Sequence, residues 1–169
     1  DVIATVQADS NRHKKSILRH PMPASGEGDA FGKVYRRRPN HKLPRLLKPG
    51  RAAREGNGYL AFAEKNIPGP PLRLWGESRT WGLFEMGVIV TARIEAPTIA
   101  EAYAEQQDPI LLKNCASSLG RIHAAGLAHG DPLLRNFFAT EPHPTPFDLP
   151  SWGRLNTSSR NRDLVRWLG

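Results

Sequence analysis

The chain is short of cysteine, of methionine and of long apolar runs, with one Cys and two Met in 169 residues. A single thiol excludes an intrachain disulfide framework and a cysteine-rich zinc site. Cys115 falls in a helical pattern, where it reads as a small buried apolar residue and suits a reducing cytoplasm. No stretch approaches the roughly 20 apolar residues that span a bilayer, so no transmembrane segment is expected. The opening residues carry no signal-peptide pattern. His13, His20 and His41 share no metal-ligand spacing, which argues against a zinc site. Acids are scarce at the front of the chain. The first 54 residues hold thirteen Lys and Arg against four acids (Asp1, Asp9, Glu27 and Asp29), a balance of +9 beside +8 for the whole chain. A basic front suits a polyanionic partner such as nucleotide phosphate, nucleic acid or an anionic membrane surface. Charge alone describes a solvated basic face equally well.

What is present points to a folded α+β protein. At 39% hydrophobic and 24% charged, the chain has the composition of one compact domain or two small lobes. Its 15 Gly and 15 Pro imply many loops. It opens "DVIATV" without Met and stops at "VRWLG", as a fragment would. Residues 1–21 read as two short strands around the polar turn "ADSNRHKK", and "AFGKVYRR" as a third strand. A basic loop with three prolines, Pro39, Pro44 and Pro49, follows. A helix is expected over residues 51–65, although Gly56 and Gly58 each cost it about 1 kcal/mol relative to Ala. "LRLWGE" and "GVIVTARI" (residues 87–94) read as strands, the second strongly β-branched. "APTIAEAYAEQ" is a short helix. Asp108 and Pro109, as N-cap and N1, open the clearest helix, with Leu112, Cys115, Leu119 and Ile122 on one face. The order is a sheet-rich front and a helical back.

The chemistry concentrates just after that helix, in "HGDPLLRNFF", residues 129–138. Phosphoryl transfer from ATP needs a residue that orients the attacking hydroxyl and takes its proton. It also needs ligands for Mg²⁺ and a cation for the phosphates. The spacing H-x-D-x-x-x-x-N supplies the first two requirements through Asp131 and Asn136, with His129 bracing the loop. A second metal ligand is expected downstream after a short hairpin, where Asp148 stands in "PFDLPSW". The phosphate lysine is expected on the third strand, at Lys33. Its acidic partner is expected on the next helix, where Glu55 is the first acid after Lys33. These four expectations are met in the required order.

With those residues in place, the chain resembles the bacterial lipopolysaccharide core kinases, which phosphorylate Kdo or heptose sugars. The likeness runs from about residue 31 onward. It rests on "KVYRRR", "RAARE", "NIPGPP", "GVIVTARIEAPTIAEAY", "LGRIHAAGLAHGDPLLRNFF", "FDLPSWGRL" and "RNRDLVRWL". The resemblance implies a two-lobed protein-kinase-like fold, with a sheet-rich N-lobe over residues 1–94. A helical, truncated C-lobe carrying the catalytic and metal-binding loops would occupy residues 95–169. It implies ATP and Mg²⁺ as cofactors, an anionic glycolipid or sugar acceptor, and a cytoplasmic location with possible peripheral contact at the inner membrane. No nucleic-acid partner is expected. Asp131, Lys33 and Glu55 map to the catalytic set. Nucleotide contacts map to Lys33, Ala92, Ile94, Asn136 and Asp148, and metal ligands to Asn136 and Asp148. Asp163 matches an acid that supports the catalytic loop. Gly130 stands where protein kinases usually carry an Arg that pairs with a phosphorylated activation loop, so no such switch is expected.

Three features depart from that pattern, one of them being Gly56 and Gly58, which loosen the helix bearing Glu55. Gly26, Gly28 and Gly32 lie too close to Lys33 for a phosphate loop and read as the turn entering its strand. The remaining candidate for a phosphate-covering hairpin, "ADSNRHKK", has no glycine, which leaves phosphate contacts to Ser10, Lys14 or Lys15. Pro144 and Pro146 remove ladder donors just before Asp148, where an apolar strand is expected. Two other functions therefore stand beside the sugar kinase. One is a small-molecule phosphotransferase of the aminoglycoside or choline kinase type, which shares H-G-D-x-x-x-x-N. The other is an inert kinase-like module that binds anionic lipid or nucleic acid through its basic face. His123 reads as a helix-end or packing residue, and Trp75, Trp81, Trp152 and Trp167 as packing residues.

Overall fold

A computed structural model describes residues 16–20, 30–36 and 48–168. The expected first strand, the "ADSNRHKK" turn with Ser10, Lys14 and Lys15, Gly26 and Gly28, and the basic loop up to residue 47 lie outside them. The chain divides into two compact units, Asp1–Gly56 with Leu72–Arg93 and Asn57–Pro71 with Ile94–Gly169. Beside the expected division after residue 94, these units part after Arg93, and Asn57–Pro71 groups with the second unit. Its side chains explain why, because Gly58 abuts Leu149 and Trp152 and the Tyr59 hydroxyl accepts from the Asp148 N–H.

The first unit is an antiparallel sheet in the order β1-β2-β4-β3, with β1 Ser16–His20, β2 Ala30–Arg36, β3 Leu72–Thr80 and β4 Leu83–Ala92. Its central strand β4 buries alternate positions, Gly87, Ile89 and Thr91, as a half-covered strand of β-branched residues should. The register sets Lys33 opposite Ile89 and Ala30 opposite Ala92. Residues 78–86, which the sequence left between two short strands, complete a hairpin instead. Its tip is Trp81-Gly82, both at positive φ (53° and 77°), the geometry of a tight hairpin turn. Arg79 is neutralised there by Glu77 at 2.8 Å and by the carbonyls of Gly82 and Lys48. Trp81 does not pack. It is 92% exposed, because the turn aims it away from the sheet.

Helix α1, Arg51–Glu64, exposes every third residue from Arg51 to Leu60 and buries the rest of that stretch. Gly56 and Gly58 fall on the buried face, and they do not loosen the helix. A Cβ on Gly56 would lie 2.5 Å from Trp75 Cγ, and one on Gly58 2.7 Å from Trp152 Cδ1. The absent side chains are what let the helix approach those indoles. The helix lacks an acid in its first turn; Glu77 of β3 supplies one by accepting from the Ala53 N–H at 3.2 Å.

The second unit is helical. Helix α2, Ile99–Gln106, starts in a capping box between Thr98 and Glu101. Helix α3, Pro109–Ala124, has Asp108 accepting from the Ile110 N–H at 2.9 Å and Pro109 at its first position. It buries Cys115, Ser118, Leu119 and Ile122, with Leu112 half-buried. Burial pushes the Cys115 thiol up to about 11, with the Trp167 indole acting in the opposite direction, so the sulfur is an inert packing group. Four two-residue strands follow, β5 Leu127–Ala128, β6 Phe137–Phe138, β7 Thr145–Pro146 and β8 Gly153–Arg154, paired β5 with β8 and β6 with β7. Helix α4, Thr157–Leu168, completes the unit.

Pairing of β6 with β7 shows how the prolines are accommodated. Phe137 faces Pro146, and the neighbouring bond runs from the Phe147 N–H to the Asn136 carbonyl at 2.9 Å. Pro146 thus sits at a pair that exchanges no hydrogen bond, where a missing N–H costs nothing. The Pro144 carbonyl accepts from the Ser118 hydroxyl at 3.0 Å. The hairpin before Asp148 forms despite its composition. Among the described residues, no helix is long and apolar enough to cross a membrane.

Candidate active site

The site residues expected from the sequence fall into two groups of side chains, one in each unit. In the first, Lys33 Nζ lies 2.8 Å from Glu55 Oε1. Glu55 is 1% exposed, so its charge needs partners, and Tyr35 supplies the second through a short hydrogen bond from its hydroxyl to Oε2. Lys33 and Tyr35 are two residues apart on β2 and therefore on one face of the sheet. The Arg51 guanidinium covers the Tyr35 ring at 5.8 Å. The sequence pointed to Lys33 and Glu55. Tyr35 was missed, although its period-two spacing from Lys33 was the signal that could have found it. Ala92 is the last residue of β4, and Ile94 follows outside the ladder.

The second group is built on the loop after β5. Gly130 has φ +84°, and a Cβ there would lie 2.0 Å from the Ser151 carbonyl oxygen. No other residue fits, so glycine at this position answers a steric demand as well as marking the motif. Asp163 of α4, fully buried, accepts from the backbone N–H of His129 at 2.9 Å and of Gly130 at 2.8 Å. His123 Nε2, at the end of α3, reaches the same carboxylate at 3.1 Å. This is the loop-supporting acid that the resemblance implied. His123 has a defined partner in it.

Asp131 follows with its carboxylate 31% exposed. Asn136 turns its amide nitrogen toward the Asp131 carbonyl at 2.8 Å and toward Oδ2 at 3.3 Å. Two acceptors on that side require the donor end of the amide there, so Asn136 Oδ1 is directed away from Asp131. Asn136 is itself set by a 3₁₀ turn, Leu134–Asn136, whose last N–H donates to the Leu133 carbonyl at 2.7 Å. Its own carbonyl binds Phe147, which places Asp148 next in the chain. Asp148 is half-buried in the left-handed conformation (φ 59°), a setting aspartate tolerates better than most residues.

His129 lies beneath the loop against the Phe137 ring at 5.1 Å. Burial pushes its imidazole down to about 4, outweighing Asp163, Asp131 and Asp148, which favour the protonated form. The ring is therefore neutral at pH 7. Its Nδ1 is the acceptor of a long 3.4 Å contact from the Asp131 N–H, which assigns the proton to Nε2. Nε2 has no partner among the described residues. The buried imidazole packs beneath the loop, where burial disfavours its taking up a proton.

Oxygen is the donor chemistry available for a cation here, through Asn136 Oδ1 and the Asp148 carboxylate. That set fits Mg²⁺, which is held by one or two protein oxygens with phosphate and water completing its shell. Among the described residues, no cluster of three His, Cys, Asp or Glu could hold a metal ion unaided.

No protein-family model and no curated protein matches the chain. Solved structures do. WaaP, in complex with acyl carrier protein, aligns over 99% of this chain and 73% of its own, with a TM-score of 0.65 and 19% identity. The Rio2 kinase from Chaetomium thermophilum, solved as an ADP/Mg²⁺-phosphoaspartate complex, aligns over 97% and 56%, with a TM-score of 0.55 and 15% identity. The bifunctional kinase-methyltransferase WbdD aligns over 84% and 34%, at 0.55 and 15%. The chain spans about a third to three quarters of these neighbours' lengths. Its fold is protein-kinase-like, a sheet-rich unit and a helical unit of the α+β class.

Proposed function

We propose that the protein is an ATP-dependent phosphotransferase acting on a sugar hydroxyl, with Kdo or heptose of the lipopolysaccharide inner core as the acceptor class. The observation that carries this reading is the Asp131 loop. An aspartate is presented on a braced turn beside an asparagine whose amide orientation leaves its oxygen available to a cation. Bound Mg·ATP would supply the transferable phosphoryl group together with its neutralising cation. Lys33, held by Glu55, meets phosphate charge, and the backbone at Ala92 and Ile94 serves the nucleotide base. Asp131 would orient the acceptor hydroxyl and take its proton as the acceptor oxygen bonds the γ-phosphorus and the bond to the departing ADP breaks. Asn136 and Asp148 hold the cation. The sugar acceptor rests on the sequence resemblance together with the kinase-like fold. An anionic glycolipid partner would suit the basic first 54 residues and would bring the enzyme to a membrane surface.

The test is Mg²⁺-dependent stabilisation by ATP, read as a thermal shift, followed by phosphate transfer to a panel of Kdo, heptose and aminoglycoside acceptors. Wild type should be stabilised by Mg·ATP and should label Kdo or heptose. Asp131→Ala should keep the stabilisation and lose at least a hundredfold in transfer, on the order expected for a positioned base. Asp148→Ala should lose the metal-dependent part of the shift. Absence of any Mg·ATP shift in wild type defeats the kinase reading. Labelling of aminoglycosides alone defeats the sugar acceptor and favours the small-molecule phosphotransferase.

A further inference from the structure

Helix α4 grips the Asp131 loop at more points than a supporting acid requires. Arg166 stands three residues after Asp163, on the same face of the helix. Its Nη1 donates to the Gly130 carbonyl at 2.6 Å and to Asp131 Oδ1 at 2.9 Å. Asp163 already holds the Gly130 N–H. Gly130 is thus held on both sides, its N–H by Asp163 and its carbonyl by Arg166, and the same guanidinium nitrogen continues to the carboxylate beyond.

That geometry has a specific effect on Asp131. The carboxylate is about one third exposed, so packing alone leaves its rotamer underdetermined. Its other contact, from Asn136 to Oδ2, is long at 3.3 Å. The charge-assisted bond from Arg166 is the shorter one and fixes Oδ1 relative to the Gly130 backbone. An exposed ion pair is ordinarily worth little stability, because screening and side-chain entropy offset the attraction. The value of this pair is orientation, since a misplacement of about 1 Å at a reacting group costs on the order of a hundredfold in rate.

We infer that Arg166 is a positioning residue for the transfer step, acting through Asp131 by locking its carboxylate to the Gly130 carbonyl. The inference rests on the reading of Asp131 as the group that takes the acceptor proton. Its mechanical part, the lock itself, can be measured independently of that reading.

The experiment compares wild type, Arg166→Met and Arg166→Lys in two measurements. The first is amide hydrogen exchange across residues 130–136, and the second is steady-state ATP hydrolysis with water as acceptor. Arg166→Met should speed exchange in the loop by about tenfold. It should also lower kcat by about tenfold to a hundredfold, with KM for Mg·ATP within about twofold of wild type. Arg166→Lys keeps a cationic donor and should recover part of both losses. Wild-type exchange in Arg166→Met overturns the inference, and so does faster exchange with unchanged kcat. A parallel loss in Met and Lys variants accompanied by a lowered Tm also overturns it, since that marks a merely structural residue. If wild type hydrolyses no ATP and shows no Mg·ATP shift, the assignment of Asp131 fails, while loop exchange still decides whether Arg166 holds the carboxylate.

Discussion

Glu55 divides its carboxylate between two residues of one strand, giving Oε1 to Lys33 and Oε2 to Tyr35. Removing the lysine takes a cation away from a buried carboxylate. Lys33→Met should therefore cost about 3 kcal/mol in unfolding free energy, the range found for breaking buried pairs, in addition to weakening Mg·ATP binding. Replacing both members, Lys33→Met with Glu55→Gln, should recover stability without recovering nucleotide binding. Denaturant melts and nucleotide titrations on the same preparations separate the two effects.

Helix propensity and packing give opposite signs at Gly56 and Gly58. Propensity alone predicts that alanine at either site stabilises α1 by about 1 kcal/mol. The new Cβ would meet Trp75 or Trp152 well inside van der Waals contact, and overpacking of that kind costs about 1–3 kcal/mol. Each Gly→Ala variant should lower Tm. A rise would show that the helix does not approach the indoles this closely.

A similar substitution should help at the β3–β4 turn. Trp81 occupies a left-handed position with almost no contact to repay it. Trp81→Asn places the residue favoured at the first centre of such a turn before the existing Gly82. It should stabilise the protein by a few tenths to about 1 kcal/mol, measured as a shift in denaturant midpoint.

Stability should fall in mild acid through His129. Its folded-state value of about 4 lies below the ordinary 6.5, so the unfolded chain binds a proton that the folded chain refuses. The contribution is complete above pH 6.5 and disappears progressively as pH drops toward 4. Its full size is about 3 kcal/mol for a shift of this magnitude. His129→Gln should start less stable at pH 7 and lose less between pH 6.5 and 4. Parallel pH profiles for the two proteins would contradict the buried neutral imidazole.

Much of the candidate site was legible because it is local. The Asp131 to Asn136 spacing, the cap at Asp108 and the apolar face of α3 are all written within a few turns of chain. Lys33 and Glu55 could be paired across 22 residues because a strand lysine and the next helical acid have few alternatives. What escaped the sequence depends on tertiary neighbours. The glycines of α1 read as helix breakers until the facing tryptophans are known. Pro146 reads as a strand breaker until the register shows that its N–H is not needed. Trp81 reads as a packing residue, since nothing local says which way a hairpin tip faces. Arg166 was hidden for the same reason: its partners lie 35 and 36 residues upstream.

The hold on Gly130 from both sides ties the loop to a single helix. Its anchors, Asp163 and Arg166, are ordinary side chains of a helix that forms with the rest of the unit. Fraying of that one helix would release both sides of Gly130 together.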